Sequence, residues 1–284
     1  MNRKNTKDHA VRFPDFQRDE SSRIRVITLF DKGQLFNCLG QYQPALAAFE
    51  AAGQICRDLP DRSAEIARLL SWALASQGTA WLELGNPAEA LPCYEEAIQV
   101  LAELSPEERA QAARDLVLTT IDKGRALMIL GRNQEAQLCF EDAIVKLEDD
   151  KNKRELASAW MSLGELDLRQ GFYPKSLVSL EEAVSLWKRV TAFEVAAAKS
   201  DYAYTLFCLA DAFDKLGRHT EALATCEQAL VLSRAIFAHL NNAEERANLS
   251  ATWLLRGTIL RQLGREPEAR ECFRESEKLE TSET

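Results

Sequence analysis

Six glycines, Gly40, Gly85, Gly131, Gly171, Gly217 and Gly264, divide this 284-residue chain at steps of 45, 46, 40, 46 and 47 residues. Each stands in the same small pattern. Seven residues before it lies a small residue: Gly33, Gly78, Gly124, Gly164, Ala210 or Gly257. Five after it come Ala45, Ala90, Ala136, Ser176, Ala222 and Ala269, and twelve after it Ala52, Ala97, Ala143, Ala183, Ala229 and Ser276. Nine after it the residue is larger and mostly apolar: Phe49, Tyr94, Phe140, Leu180, Cys226 and Phe273. A glycine that ends one helix and precedes another makes a tight antiparallel pair. Small residues at the crossing let the two helices approach, and the large one fills the space between them. A supersecondary unit repeated along the chain builds an array that grows in one direction.

The fourth segment, Trp160 to Ala183, shows the pattern most fully. Trp160, Leu163 and Gly164 open it, Gly171 breaks it ahead of Pro174, and Leu180 and Ala183 close it. This is similar to the tetratricopeptide signature W-x2-L-G-x2-Y…A-x3-F, with Asp167 in place of the tyrosine and Ser176 in place of the first alanine. The resemblance covers about residues 21–280. It implies an all-α fold: a right-handed α-solenoid of about six elongated helix pairs, or about twelve antiparallel helices. The repeats fall near 21–60, 61–104, 105–149, 150–191, 192–240 and 241–280, with 1–20 as an N-terminal arm and 281–284 as a tail that frays.

The steps exceed the roughly 34 residues of the standard repeat. HEAT and armadillo repeats have periods near 40–47, but the small-large-small ladder is the tetratricopeptide one. The extra residues should therefore lengthen helices. Ser105-Pro106-Glu107-Glu108 is a capping box with proline at the first helical position. Asp61, Asp150 and Asn242 read as N-caps of the corresponding helices elsewhere, and Ser21 or Ser22 as the cap of the first long helix. By repeat length, though not by shared residues, the chain resembles kinesin light chains and Leu-Gly-Asn-type G-protein regulators, which grip extended partner peptides.

Composition narrows the function. A net charge of −9 lacks the basic surplus of a general nucleic-acid binder. Seven cysteines form an odd set with no C-x-x-C pair, and Cys93, Cys139 and Cys272 share one register. They read as reduced small hydrophobes of a cytoplasmic protein. No apolar run is long enough to span a membrane, and the start carries no apolar signal core. In residues 1–20 Phe13 and Phe16 are the aromatics. Three readings stay open for this stretch: a disordered arm, a cover over the first helix, or a short motif for a partner or for the chain's own groove.

No nucleotide-binding, metalloprotease or nucleophile-elbow motif is present. His9, His219 and His239 have no companion at metal-ligand spacing. Glu95-Glu96 and Glu181-Glu182 are helix neighbours that face apart, as solvated acids do. No catalytic residue, metal or cofactor is therefore assigned, and an enzyme is not expected.

Function should then lie on the surface that stacked helices make. In the tetratricopeptide family the first helices line the concave face through residues 13, 10, 6 and 3 before the turn glycine. Carried onto this chain, that implies Ile27, Phe30, Gln34 and Asn37 in repeat one, and Trp72, Ala75, Thr79 and Leu82 in repeat two. Repeat three supplies Leu118, Ile121, Arg125 and Met128; repeat four Ser158, Met161, Glu165 and Leu168. Repeat five supplies Tyr204, Phe207, Asp211 and Asp214, and repeat six Ala251, Leu254, Thr258 and Arg261. Members that clamp a C-terminal carboxylate carry Lys and Asn at the two middle positions, where this chain has Phe30/Gln34 and Ala75/Thr79. Chaperone-tail binding is therefore not implied.

The implied groove offers apolar area through Phe30, Trp72, Ile121, Met128, Met161, Tyr204 and Phe207. It suits an amphipathic helix or an extended peptide of another protein, and can also accept a second copy of the chain. The plainer alternative is that such side chains pack between neighbouring helices. Seventeen residues before the turn glycine stand Arg23, Arg68, Arg114 and Arg154, a basic rail one helical turn from the first groove position. The rail either pairs with acidic or phosphorylated groups of a partner or is neutralised within its own helices by Glu20, Glu65 and Asp150. The leading expectation is an adaptor binding its partner in the groove. The alternatives are a sensor whose curvature responds to a bound signal, and a subunit that joins a larger assembly through its convex face.

Overall fold

The computed structural model describes residues 13–60, 63–147, 152–191 and 196–281, with side chains omitted for 13–19, 191, 196 and 197. The caps expected at Asp61 and Asp150, the contacts of Phe13 and Phe16, the position of His9 and the last three residues of the tail lie outside that description. The described residues form thirteen α-helices and no strand. None is long and apolar enough to cross a membrane.

Two compact units lie within residues 1–130 and 131–284. The first contains α1 (Phe13–Cys38), α2 (Tyr42–Asp58), α3 (Ala64–Glu83), α4 (Pro87–Ala102), α5 (Pro106–Gln111) and α6 (Ala113–Ile129). Here α1 packs on α2, α2 on α3, α3 on α4 and α4 on α6. The second contains α7 (Asn133–Lys146), α8 (Lys153–Arg169), α9 (Tyr173–Thr191), α10 (Ala196–Lys215), α11 (His219–Leu240), α12 (Ala243–Gln262) and α13 (Glu266–Thr281). Its helices pack in sequence, each on the next.

The turn glycines act as expected. All six have positive φ, between 69° and 81°, a conformation glycine adopts without a Cβ clash. In five of them the following residue's N–H reaches back to a carbonyl five positions earlier, as in Gln41 to Phe36 at 2.8 Å and Phe172 to Asp167 at 2.9 Å. This closes the helix end in a Schellman turn. The small residues are equally constrained. A methyl at Gly33 would lie 2.5 Å from the Phe49 ring, at Gly78 2.6 Å from Tyr94, at Gly164 2.6 Å from Leu180 and at Gly257 2.5 Å from Phe273. In repeat five, where the large position is Cys226, the small one can be Ala210, and both are fully buried.

The extra length goes into helix, with 20 residues in each of α3, α10 and α12. The Ser105 capping box is present, its hydroxyl accepting from the Glu108 N–H and the Glu108 carboxylate accepting from the Ser105 N–H. Asn242 caps α12 through the Glu245 N–H at 2.8 Å. Two expectations are corrected. Helix α1 is already formed at Phe13, the first described residue, so Ser21 and Ser22 sit inside it instead of capping it. The helices number thirteen among the described residues, against about twelve, because Ala112 leaves helical geometry (φ −93°, ψ 6°) and separates α5 from α6.

Candidate functional site

The first unit contains an open cleft of about 500 Å³ between α1, α3 and α5. Ile27 and Phe30 of α1 and Leu69 and Trp72 of α3 line its apolar part; Asp31, Glu65, Arg68, Glu108 and Gln111 edge it. Phe30 is held between two aromatics, its ring centre 5.6 Å from Phe49 and 6.3 Å from Trp72. Ile27 remains 46% exposed, so the floor is open to a visiting apolar group. At the mouth the Arg68 guanidinium lies 5.2 Å from the Trp72 ring centre and is ion-paired to Asp115 at 3.0 Å. A charge held from two sides loses little freedom on meeting a ligand.

The other groove positions behave differently. Gln34 donates to the Ser76 hydroxyl at 3.3 Å, and Asn37 is half-buried with its side-chain amide oxygen unpartnered among the described residues. Thr79 shares a 3.3 Å hydrogen bond with the buried Tyr94 hydroxyl. Arg125 pairs along its own helix with Asp122 at 3.4 Å. Four positions are corrected from groove to interior: Met128 is 7% exposed, Met161 5%, Ile121 1% and Glu165 9%. Met161 packs with Ala183, Leu186 and Trp187, a use of the unbranched thioether as an interior filler.

Glu165 accepts from Arg169 at 2.7 Å and from the Tyr204 hydroxyl at 2.9 Å. Tyr204 stacks on Phe207 with ring centres 6.1 Å apart and planes 21° apart. The space beside this pair is about 30 Å³, too small for a side chain. Burial pushes the Tyr204 hydroxyl and the Asp211 carboxyl upward, the latter moderated by Lys215 at 3.7 Å.

The basic rail is engaged between helices. Arg23 reaches Glu65 at 3.1 Å, Arg68 reaches Asp115 at 3.0 Å and Arg154 approaches Asp201 at 4.0 Å. Where the column reads Ser200, that hydroxyl donates to Glu245 at 2.8 Å. Each partner sits on the first helix of the next repeat. The pairs thus fasten neighbouring repeats, and Glu65 serves Arg23 instead of Arg68 on its own helix. Exposed pairs of this kind are worth about 0–1 kcal/mol each.

The cleft residues not anticipated from the family positions are Asp31, Ala64, Glu65, Leu69, Glu108 and Gln111. The last two arrive through α5, whose start was readable from its capping box. The break at Ala112 carries no such signal. Chemically the site offers apolar area with fixed charges at its rim. Among the described residues no group of three or more His, Cys, Asp or Glu could hold a metal. None of the seven cysteines is in a disulfide, and burial pushes the Cys56 and Cys93 thiols up to about 11, so they stay protonated at neutral pH.

Comparison with known proteins gives three family matches: the tetratricopeptide repeat over residues 71–96, anaphase-promoting complex subunit 5 over 8–79, and a domain of unknown function, DUF3856, over 151–282. No curated protein matches in sequence. Among solved structures, BtubC (BKLC) from P. vanneervenii aligns with a TM-score of 0.65 at 16% identity, covering 85% of this chain and 91% of that one. A kinesin light chain protein of nearly identical TPR-like repeats from Podosopora anserina aligns at 0.54 and 20% identity, covering 78% and 97%. A Rap protein complexed with competence and sporulation factor aligns at 0.63 and 12% identity, covering 95% and 80%. At these identities the likeness is one of fold, the helical repeat solenoid.

Proposed function

We propose that this chain, built of tetratricopeptide-like repeats, is a non-catalytic interaction scaffold that seats a segment of a partner protein in the cleft lined by its first three repeats. The observation that carries the reading is the cleft itself. Trp72, Phe30, Leu69 and Ile27 present an apolar floor of a size suited to one or two hydrophobic anchors. The rim bears charges of both signs, Arg68 against Glu65, Asp31 and Glu108, so the segment should place its anchors inward and its polar residues at the edge. A helix with anchors at one-turn spacing or an extended strand with alternate anchors meets that demand. The complex of a structurally similar Rap protein with competence and sporulation factor supports the class of activity. The reading places the chain in the cytoplasm, where its thiols stay reduced, and assigns it no nucleic acid, membrane or cofactor. Self-association is not required by it.

The test is quantitative affinity capture with the full chain and its variants. Trp72→Ala together with Ile27→Asp should remove a defined set of partners that wild type retains, while circular dichroism stays unchanged. If the same set survives in the doubly substituted protein, the cleft is not the docking site. The outer faces of the helices would then become the contact surface, as in a subunit of a larger assembly.

A further inference from the structure

The fourth repeat breaks its own pattern at one buried position, and a cleft opens there. Four residues before the turn glycine the other repeats carry Phe36, Trp81, Leu127, Phe213 and Leu260, whereas the fourth carries Asp167. Beside Asp167 lies a cleft of about 400 Å³, walled by Gln137 and Glu141 of α7, Leu163 of α8, and Pro174, Lys175 and Val178 of α9. A carboxylate has replaced the large apolar side chain that closes this place elsewhere.

Asp167 is 7% exposed, and the exposure it has is into that cleft. Its peptide carbonyl is used by the turn, accepting the Phe172 N–H at 2.9 Å. Among the described residues its carboxylate has no hydrogen-bond or ion-pair partner. The second polar departure of this repeat, Ser176, is by contrast satisfied, donating to the Gly164 carbonyl at 2.7 Å. Lys175 stands at the lip with its ammonium 5.4 Å from the Phe172 ring centre. In repeat five the residue after the turn glycine, Arg218, sets its guanidinium 4.5 Å from Phe213, the equivalent of Asp167. In repeat four that following residue is Phe172, and no guanidinium of the described chain pairs with the carboxylate.

A carboxylate largely shielded from water, in contact with it only through a cleft and without a partner, is poorly solvated. A site built this way gains most from a cation carried on an apolar stem. We propose that the Asp167 cleft is a receptor for an arginine side chain of a partner polypeptide. Its guanidinium pairs with Asp167 in the depth and faces Glu141 at the rim, while its methylenes lie along Leu163, Pro174 and Val178. Arginine fits better than lysine because its fork matches a carboxylate in two hydrogen bonds and it leaves water more readily. The raised proton affinity of the Asp167 carboxyl, set chiefly by burial, lowered by Lys175 and raised by Glu141, is consistent with a group awaiting a counter-charge. This site lies in the second unit and stands independently of the Trp72 cleft.

The test uses the full chain at neutral pH and a capped amino acid, N-acetyl-arginine N-methylamide, followed by NMR titration. Saturable shifts should be confined to α7, α8 and the start of α9. The neutral citrulline analogue should bind about tenfold or more weaker. Asp167→Asn, which keeps the shape, should weaken the arginine compound by a similar factor. Asp167→Leu, which restores the residue type of repeats three and six, should close the cleft and remove binding. Equal binding of the citrulline compound, or unchanged binding by Asp167→Asn, overturns the proposal, as does the absence of saturation in the millimolar range. Agmatine binding about tenfold tighter than the capped residue would assign the cleft to a free amine and overturn the polypeptide source.

Discussion

Trp72 and Tyr204 occupy the same register, thirteen residues before the turn glycines Gly85 and Gly217, yet they end in opposite situations. Trp72 forms part of the floor of an open cleft of about 500 Å³, and Tyr204 adjoins a space of about 30 Å³. Both rings are half-buried and both have an aromatic neighbour, Phe30 for the first and Phe207 for the second. The difference is a polar handle. The Tyr204 hydroxyl reaches back 2.9 Å to Glu165 on α8 and ties the ring across two repeats. Trp72 has the Arg68 guanidinium over its face beside Phe30, and α5 stands off to form a lip. An aromatic at a groove position therefore lines an open cleft where no polar group of a neighbouring repeat ties it down, and under the proposed function only such a ring is available to a ligand.

The largest expected effect sets stability against binding at these two positions. Tyr204→Ala removes a stacked ring and its tie to Glu165, and should cost about 3 kcal/mol in urea denaturation. Trp72→Ala removes a ring already facing a cleft, and should cost about half as much while abolishing partner capture. If Trp72→Ala proves the more destabilising and capture persists, the contrast between the two regions fails. A smaller effect isolates the handle. Tyr204→Phe keeps the stack with Phe207 and loses only the bond to Glu165, for about 1–2 kcal/mol. Arg169 still pairs with Glu165 at 2.7 Å, so the loss should fall at the lower end. A neutral substitution would mean that packing alone closes the region.

What could be read in advance follows the range of the interaction. The positive-φ glycines, the Gly33–Phe49 and Gly78–Tyr94 contacts and the Ser105 cap all act within one repeat, where a fixed spacing carries the geometry. The contacts that decide the site run between repeats: Arg68 to Asp115 is 47 residues away and Tyr204 to Glu165 is 39. With steps between 40 and 47 residues, no single offset predicts which side chains meet. This is why neither alternative read for Arg68, a partner's acid or Glu65 on its own helix, was Asp115, and why Met161, at a groove register, lies among core side chains. Asp167 was visible as a departure from the repeat pattern. That it would stand without a partner beside a cleft required the positions of α7 and α9.

The smallest effect is a pH dependence at Asp211, two helical turns along α10 from Tyr204. Burial holds its carboxyl above the ordinary 3.8 and Asp214 adds to the rise, while Lys215 offsets part of it. A raised folded-state value means the folded chain holds this proton more tightly than the unfolded chain. The carboxylate therefore lowers stability at neutral pH, and the penalty fades as pH falls through the folded value toward 3.8. Asp211→Asn should be at least as stable as wild type at pH 7, with the difference between the two narrowing steadily on acidification. A wild-type advantage at pH 7 would mean that the 3.7 Å pairing with Lys215 outweighs burial, making the closed region a charged clasp instead of a packed one.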